Sequence, residues 1–281
     1  MLQIVQSPNT IKTIYTKLGR KVAKNKLWNH KIFSLIANIL AKHKNNKFVY
    51  QFILFAQKLN ENFELKLYKK CLRPGMNVID IGANFGLYSI EASKLISPNG
   101  RVFSFEPEPS TYKALENKIK QLGINNVSLS SKALSNKKGH QKLYFDELNV
   151  GGHSFSEKNP YRSRSYHKVE TTTLDDVFHN IKIDLIKIDT QGAEGLVITG
   201  GLELLKKNKP TIFLEFWPNG TSEFEVTSSD LLDIFANLGY KITVIDKTKK
   251  RTYKVDREML YALCANEKHS NDNVDVILEI D

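Results

Sequence analysis

Residues 78–89 read VIDIGANFGLYS. A short apolar run ends in Asp80, glycines follow at Gly82 and Gly86, and an amphipathic stretch begins beyond them. A strand, a small-residue turn and a helix in that order open a βαβ unit. In open α/β sheets, ligands bind beyond the carboxyl ends of the strands. Glycines there let the backbone approach a ligand closely. Gly82 and Gly86 are four apart, so the G-x-G-x-x-G spacing of dinucleotide sites is absent. An acid also points into the turn, where a pyrophosphate would be repelled. A ligand with positive charge suits it better, and S-adenosylmethionine carries an ammonium and a sulfonium and no phosphate.

The next apolar run, VFSFEPEP, ends at Glu106, twenty residues after Gly86. An acid at that strand end accepts both hydroxyls of a ribose. Alone it is shared with NAD sites, but with Asp80 it favours S-adenosylmethionine. Asp80 as a helix cap and Glu106 as a solvent acid are the plain alternatives. The third run ends in SLSSKALS, placing Lys132 and Ala133 where an adenine would meet backbone and small side chains. Candidate cofactor residues are therefore Asp80, Gly82, Ala83, Asn84, Gly86, Glu106, Lys132, Ala133 and Asp189.

The stretch IDLIKIDTQGAE, residues 183–194, ends an apolar strand at Asp189, and Glu194 falls in the first turn of the next helix. Asp189 is expected beside the reactive end of the cofactor, and Glu194 is a candidate for the acceptor side. Glu194 would favour the helix dipole whatever else it does. Glu215, in IFLEFWP, ends the following strand on the same edge of the sheet. Asp189, Glu215 and the loop histidine His153 are candidate bases for a hydroxyl acceptor. Asp189 and Glu194 would serve as metal ligands, but no strong metal-ligand spacing is present.

Strands and helices alternate from Met76 onward, which argues a mostly parallel α/β sheet. Strands are expected at 77–81, 101–105, 127–131, 168–173, 183–189, 211–216, 241–246 and 273–280, and a single helix over 193–206. Residues 147–167 form a long Gly/Ser/Asn-rich insertion, expected to be a loop covering the acceptor as mobile lids do. Its Arg162 and Tyr166 would suit a sugar or an anionic glycan. Upstream, helical spacing runs through Trp28–Leu40, Phe48–Leu59 and Phe63–Leu72, ending at Arg73-Pro74-Gly75. Residues 1–72 are read as a basic helical extension and 73–281 as the catalytic domain.

The net charge is +11, and residues 1–60 hold eleven Lys or Arg and no Asp or Glu. An anionic partner is one reading. These helices would pack on the next domain, or touch the inner, anionic face of a membrane peripherally. No apolar run approaches the roughly 18–20 residues that span a bilayer. Two distant cysteines, Cys71 and Cys264, fit a reducing cytoplasm and imply no disulfide framework.

With these residues in view, the chain resembles the FkbM family of S-adenosylmethionine-dependent methyltransferases. The stretches VIDIGANFGLYS, VFSFEPEPSTYKALENKIK, VSLSSKALSN, TTLDDVF, IDLIKIDTQGAEGLVITGG and IFLEF come in the family's order. The resemblance implies a class I methyltransferase fold, Rossmann-like, with a seven-stranded sheet and one antiparallel strand. It also implies methylation of a hydroxyl on a sugar, glycan or natural product. Its cofactor residues carry over to Asp80, Gly82, Asn84, Gly86 and Glu106, and its D-x-E-G-x-E element to Asp189, Gly192 and Glu194. Gln191 replaces that element's middle acid, which removes a charge beside the acceptor.

Competing readings are fewer than the composition allows. A nucleic-acid methyltransferase would use the basic amino end on phosphates, but an Asn/Asp-Pro-Pro-Tyr motif does not follow the fourth strand. A non-catalytic module for glycan assembly with a retained cofactor pocket is the third reading; the intact Asp80, Gly82, Gly86 and Glu106 argue against decay, and cofactor binding without turnover would favour it. An NAD-dependent oxidoreductase has the wrong glycine spacing. No motif addresses oligomeric state.

Overall fold

A computed structural model describes residues 47–60, 62–146, 153–156, 162–221, 224–264 and 273–280. The stretch Trp28–Leu40, and with it most of the basic extension, lies outside the described residues. No helix among the described residues is long and apolar enough to cross a membrane.

Helices α1 (Lys47–Asn60) and α2 (Asn62–Cys71) lead into β1 (Asn77–Ile81), α3 (Leu87–Ile96), β2 (Arg101–Phe105), α4 (Pro109–Gln121) and β3 (Val127–Ser130). Glu108 caps α4 by accepting from the amides of Ser110 and Thr111, with Pro109 at the first helical position. After a small sheet, α5 (Leu174–Phe178) precedes β7 (Leu185–Ile188), α6 (Glu194–Thr199), α7 (Leu202–Asn208), β8 (Thr211–Phe216) and α8 (Pro218–Thr221). The chain closes with α9 (Ser228–Asn237), β9 (Lys241–Asp246), β10 (Arg251–Val255), α10 (Arg257–Cys264) and β11 (Val274–Glu279).

The main sheet has the order β10-β9-β11-β8-β7-β1-β2-β3. Its centre, from β8 to β3, pairs in parallel, while β11 runs antiparallel to both β8 and β9, and β10 antiparallel to β9. The expected class I architecture is present, with a correction to the count. The sheet has eight strands rather than seven, and two rather than one run against the majority. The additional strand, β10, is an edge strand with Arg251 and Lys254 exposed. Charged edge strands bury little, so they leave weak apolar periodicity to read.

Two further expectations change. Residues 193–206 are two helices, because the chain breaks at Gly200 and Gly201. A Cβ on Gly200 would stand 2.1 Å from the Ser135 carbonyl oxygen. The insertion is not all loop. Its end, from Arg162, belongs to β6 (Arg162–Thr172), which pairs antiparallel with β5 (Gly139–Asp146) and parallel with β4 (Ala133–Leu134). Residues 153–156 return to β5 through a bridge between Ser154 and Tyr144. The strand expected over 168–173 is the second half of β6.

Alternation along the strands splits the core in two. Ile79, Ile81, Ile186, Ile188, Ile212 and Leu214 face one layer. Val78, Leu185 and Phe213 face the other, against Leu65, Tyr68 and Leu72 of α2 and Leu87, Tyr88 and Ala92 of α3. Tyr68 is fully buried, with its ring edge-on to Tyr88 at 5.0 Å and to Phe213 at 5.4 Å. Burying a side chain of this kind contributes about 1.5–3 kcal/mol. Alternation puts charged positions on this second face as well. Asp80 sits opposite Lys187 in register, and Glu215 opposite Asp275.

Candidate active site at the strand ends

The turn after β1 is a backbone construction. The amides of Gly82 and Ala83 donate to the Phe105 carbonyl at 3.0 and 2.9 Å, which locks the end of β1 to β2. Gly82 has φ of +77°, and a Cβ there would lie 1.9 Å from the carbonyl oxygen of Asp189. Only glycine allows the ends of β1 and β7 to meet this closely. Gly86, also at +77°, would drive a Cβ into Leu115. Asn84 is left-handed at +49°. Its amide donates to Glu106 Oε2 at 2.8 Å, while Glu106 Oε1 accepts the Glu108 amide at 2.9 Å. Glu106 thus ties the turn after β1 to the end of β2.

Asp80 lies under this turn. It is 2% exposed and accepts the hydroxyl of Ser89, which also meets the hydroxyl of Ser104 at 2.6 Å. Burial pushes its carboxyl up to about 6, against the pull of the Ser89 bond and of Lys187. Asn84 Oδ1 is buried with no partner among the described residues. A buried acceptor without a donor is costly. An ammonium of a bound ligand would satisfy it, so the turn fits S-adenosylmethionine.

Across the crevice the site is built from acids. Gln191, left-handed at φ +55°, donates through Nε2 to Asp189 Oδ1 at 2.9 Å and to Glu215 Oε2 at 3.0 Å. Asn273 donates to the other Glu215 oxygen at 2.6 Å. Burial pushes the Glu215 carboxyl well above the usual range, and the charges of Asp189, Asp275 and Glu194 push the same way. Glu194 is buried and holds the loop itself. Its Oε1 accepts the Thr190 amide and hydroxyl at 3.0 Å each and the Gly192 amide at 3.1 Å. Its Oε2 has no partner among the described residues, and burial raises its carboxyl too. Among the described residues, no group of three or more His, Cys, Asp or Glu is placed to hold a metal.

The structure distributes the remaining candidates over the small sheet. Ser154 donates to the Gln191 carbonyl at 2.8 Å, docking the insertion on the acid cluster. His153, one residue earlier, lies edge-on to Phe145 at 5.6 Å. Tyr166 is 46% exposed on β6, with Lys142 Nζ 4.6 Å from its ring centre. Arg162 opens β6, and its side chain is outside the described set. Lys132 is paired with Glu170 at 2.5 Å, and Ala133 is buried with Leu143 and Val169.

Reading the sequence missed Lys187, Glu64, Ser89, Ser154, Asn273 and Asp275. Lys187 had a signal, a lysine inside the otherwise apolar run LIKI. It is 3% exposed, and a cation in a buried strand needs a reason.

Residues 80–242 match the model of the methyltransferase FkbM domain, more than half the chain. The 2-O-methyltransferase NoeI of Sinorhizobium fredii is 29% identical over 181 residues, covering 58% of this chain and 72% of that protein. Among solved structures, the methyltransferase FkbM from Methylobacillus flagellatus aligns at 16% identity and a TM-score of 0.43. That alignment covers 69% of this chain and 51% of the other, so the chain spans about half its length. A putative methyltransferase of Streptococcus mutans in complex with S-adenosylhomocysteine aligns at 12% identity and a TM-score of 0.45, over 78% and 97% of the two chains. The matched segment runs from Asp80 past Glu215 and so takes in both sides of the crevice. The chain therefore belongs to the FkbM methyltransferase family, whose methyl donor is S-adenosylmethionine.

Proposed function

We propose that the chain methylates a hydroxyl oxygen on a sugar or glycan acceptor. The observation that carries this reading is the Asp189–Gln191–Glu215 cluster, set directly against the cofactor turn where Gly82 meets Asp189. A hydroxyl that takes a methyl group must lose its proton, and that requires a base at the site. S-adenosylmethionine, when bound, supplies an electrophilic methyl carbon on a positively charged sulfur. Asp80 and Asn84 suit its ammonium, and Glu106 suits its ribose.

Asp189 is the base in this reading. Its side chain is 40% exposed, and Gln191 orients it through Oδ1. Glu215 is the less available acid, because both its oxygens already accept amide hydrogens from Gln191 and Asn273, and burial raises its carboxyl. The insertion, held to Gln191 by Ser154, brings β6 with Arg162 and Tyr166 towards acceptor recognition, and His153 with it. An aromatic ring with a lysine over it suits a sugar face and an anionic substituent. NoeI, by its name a 2-O-methyltransferase, supports an oxygen acceptor. The acid-free segment 1–60 suits peripheral contact with an anionic membrane surface.

The test is transfer of isotopically labelled methyl from S-adenosylmethionine to a panel of glycans, with RNA and amine acceptors alongside. Label on sugar hydroxyls is expected. Label confined to RNA or to amino groups would overturn the reading.

A further inference from the structure

A line of charges, buried at Lys187 and Glu64, runs beneath the site and out of the family-matched segment. Lys187 Nζ lies 3.6 Å from Asp189 Oδ2 on one side and 3.6 Å from Glu64 Oε1 on the other. Glu64 belongs to α2 and is 3% exposed. Its second oxygen meets Lys247 at 2.8 Å, and Lys247 meets Asp275 at 2.6 Å. Lys187 also sits 5.0 Å from the ring centre of Tyr88. A buried ammonium persists only with counter-charges. One of them, Asp189, is the group assigned to take a proton. The other, Glu64, stands away from the reaction.

We propose that Glu64 is a positioning residue of the active site, which acts through Lys187 to keep a cation beneath Asp80 and Asp189. The helix α2 then belongs to the catalytic unit, although it precedes the matched domain. This inference rests on the roles given above to Asp80 and Asp189.

The groups around Lys187 are Glu64 of α2, Tyr88 of α3, Asp80 of β1, Asp189 after β7, Glu215 of β8 and Asp275 of β11, and Lys247 after β9 pairs with Glu64 and Asp275. Acids outnumber cations here, so the Lys187 charge has a large influence on whether they ionise. Without Glu64, the Lys187 ammonium loses one of its two carboxylate partners and is left to Asp189 and Asp80. With its cation less shared, Asp80 stays ionised to a lower pH. A ligand ammonium pairs with the ionised acid, so its affinity falls as pH drops through the Asp80 value of about 6. The affinity limb should therefore move downward when Glu64 loses its charge. A purely structural Glu64 would change thermal stability and leave the limb in place.

The experiment is calorimetry of the full chain with S-adenosylhomocysteine from about pH 5 to 9, the range that brackets the raised acid. Wild type, Glu64→Gln, Glu64→Asp, Lys187→Met and the double variant Lys187→Met/Glu64→Gln are compared. In Glu64→Gln the acid limb is expected to fall by about one pH unit, which is about tenfold tighter binding on the limb. Glu64→Asp, which keeps the charge, should hold the wild-type limb. In the Lys187→Met background, Glu64→Gln should add nothing, because its route is gone. An unmoved limb in Glu64→Gln, an equal shift in Glu64→Asp, or additive shifts in the double variant would each overturn the proposal. If Glu64→Gln does not fold, the double variant against Lys187→Met decides. A wild type that binds with no acid limb would overturn the role given to Asp80 and this inference with it. That result is distinct from a limb that is present and unmoved.

Discussion

At the ends of β1 and β2 the site is made of backbone, and at the ends of β7 and β8 it is made of side-chain charge. On the first side, two left-handed glycines and a left-handed asparagine shape the turn, and Glu106 ties it down by accepting main-chain amides. On the second side, Asp189 and Glu215 are held apart and oriented by the amide of Gln191, with Lys187 and Asn273 behind them. A backbone site tolerates almost no added atom, whereas a charge site tolerates shape changes and fails when a charge is lost. The first side can receive one ligand geometry. The second is joined to the insertion by the Ser154 bond and is where acceptor choice is open to change.

That contrast separates the expected effects of substitution. The largest is on turnover. Asp189→Asn keeps the shape and removes the proposed proton acceptor, so kcat should fall by about 10²–10⁴-fold. S-adenosylhomocysteine affinity should change less than about tenfold, the weight of one charge pair. Steady-state kinetics beside calorimetry checks the split, and an equal loss in both would erase the distinction between the two sides.

Gly82→Ala breaks the backbone side. The new Cβ meets the Asp189 carbonyl in a left-handed conformation, and the strain is worth about 3 kcal/mol. Binding of S-adenosylhomocysteine should weaken by about 100-fold, and the melting temperature should drop. Next comes Glu106→Gln, which exchanges charge-assisted bonds for neutral ones and should weaken the same ligand by about tenfold. The kcat at saturating donor should hold. The smallest effect is expected from Ser154→Ala, which frees the insertion from Gln191. An acceptor KM raised by about fivefold, with donor binding unchanged, is the expected result. A change in donor affinity there would show that the insertion serves both sides.

Much of the cofactor side was legible in the sequence. The strands at 77–81, 101–105, 211–216 and 241–246 fall where apolar runs and turn residues put them. The turn residues from Gly82 to Gly86 and the acid at Glu106 meet at the carboxyl ends of β1 and β2, as their spacing implied. Spacing did not reveal that Glu194 caps its own loop, that Asp80 is buried beneath the turn, or that Ala133 is packed inside the small sheet.

What the sequence by itself determined was therefore the alternation of elements, the glycine turn and the order of the strand-end acids. These depend on interactions between near neighbours, and near neighbours leave a period or a spacing behind. Tertiary structure alone decided that Gln191 bridges Asp189 to Glu215, that Ser154 docks the insertion, and that Lys187 is neutralised by Glu64 from a helix upstream of the matched domain. The edge strand β10 and the β5–β6 pairing were likewise settled by the fold. Such contacts join groups distant along the chain. Their energies come from burial and charge balance, and neither is written into the spacing of residues.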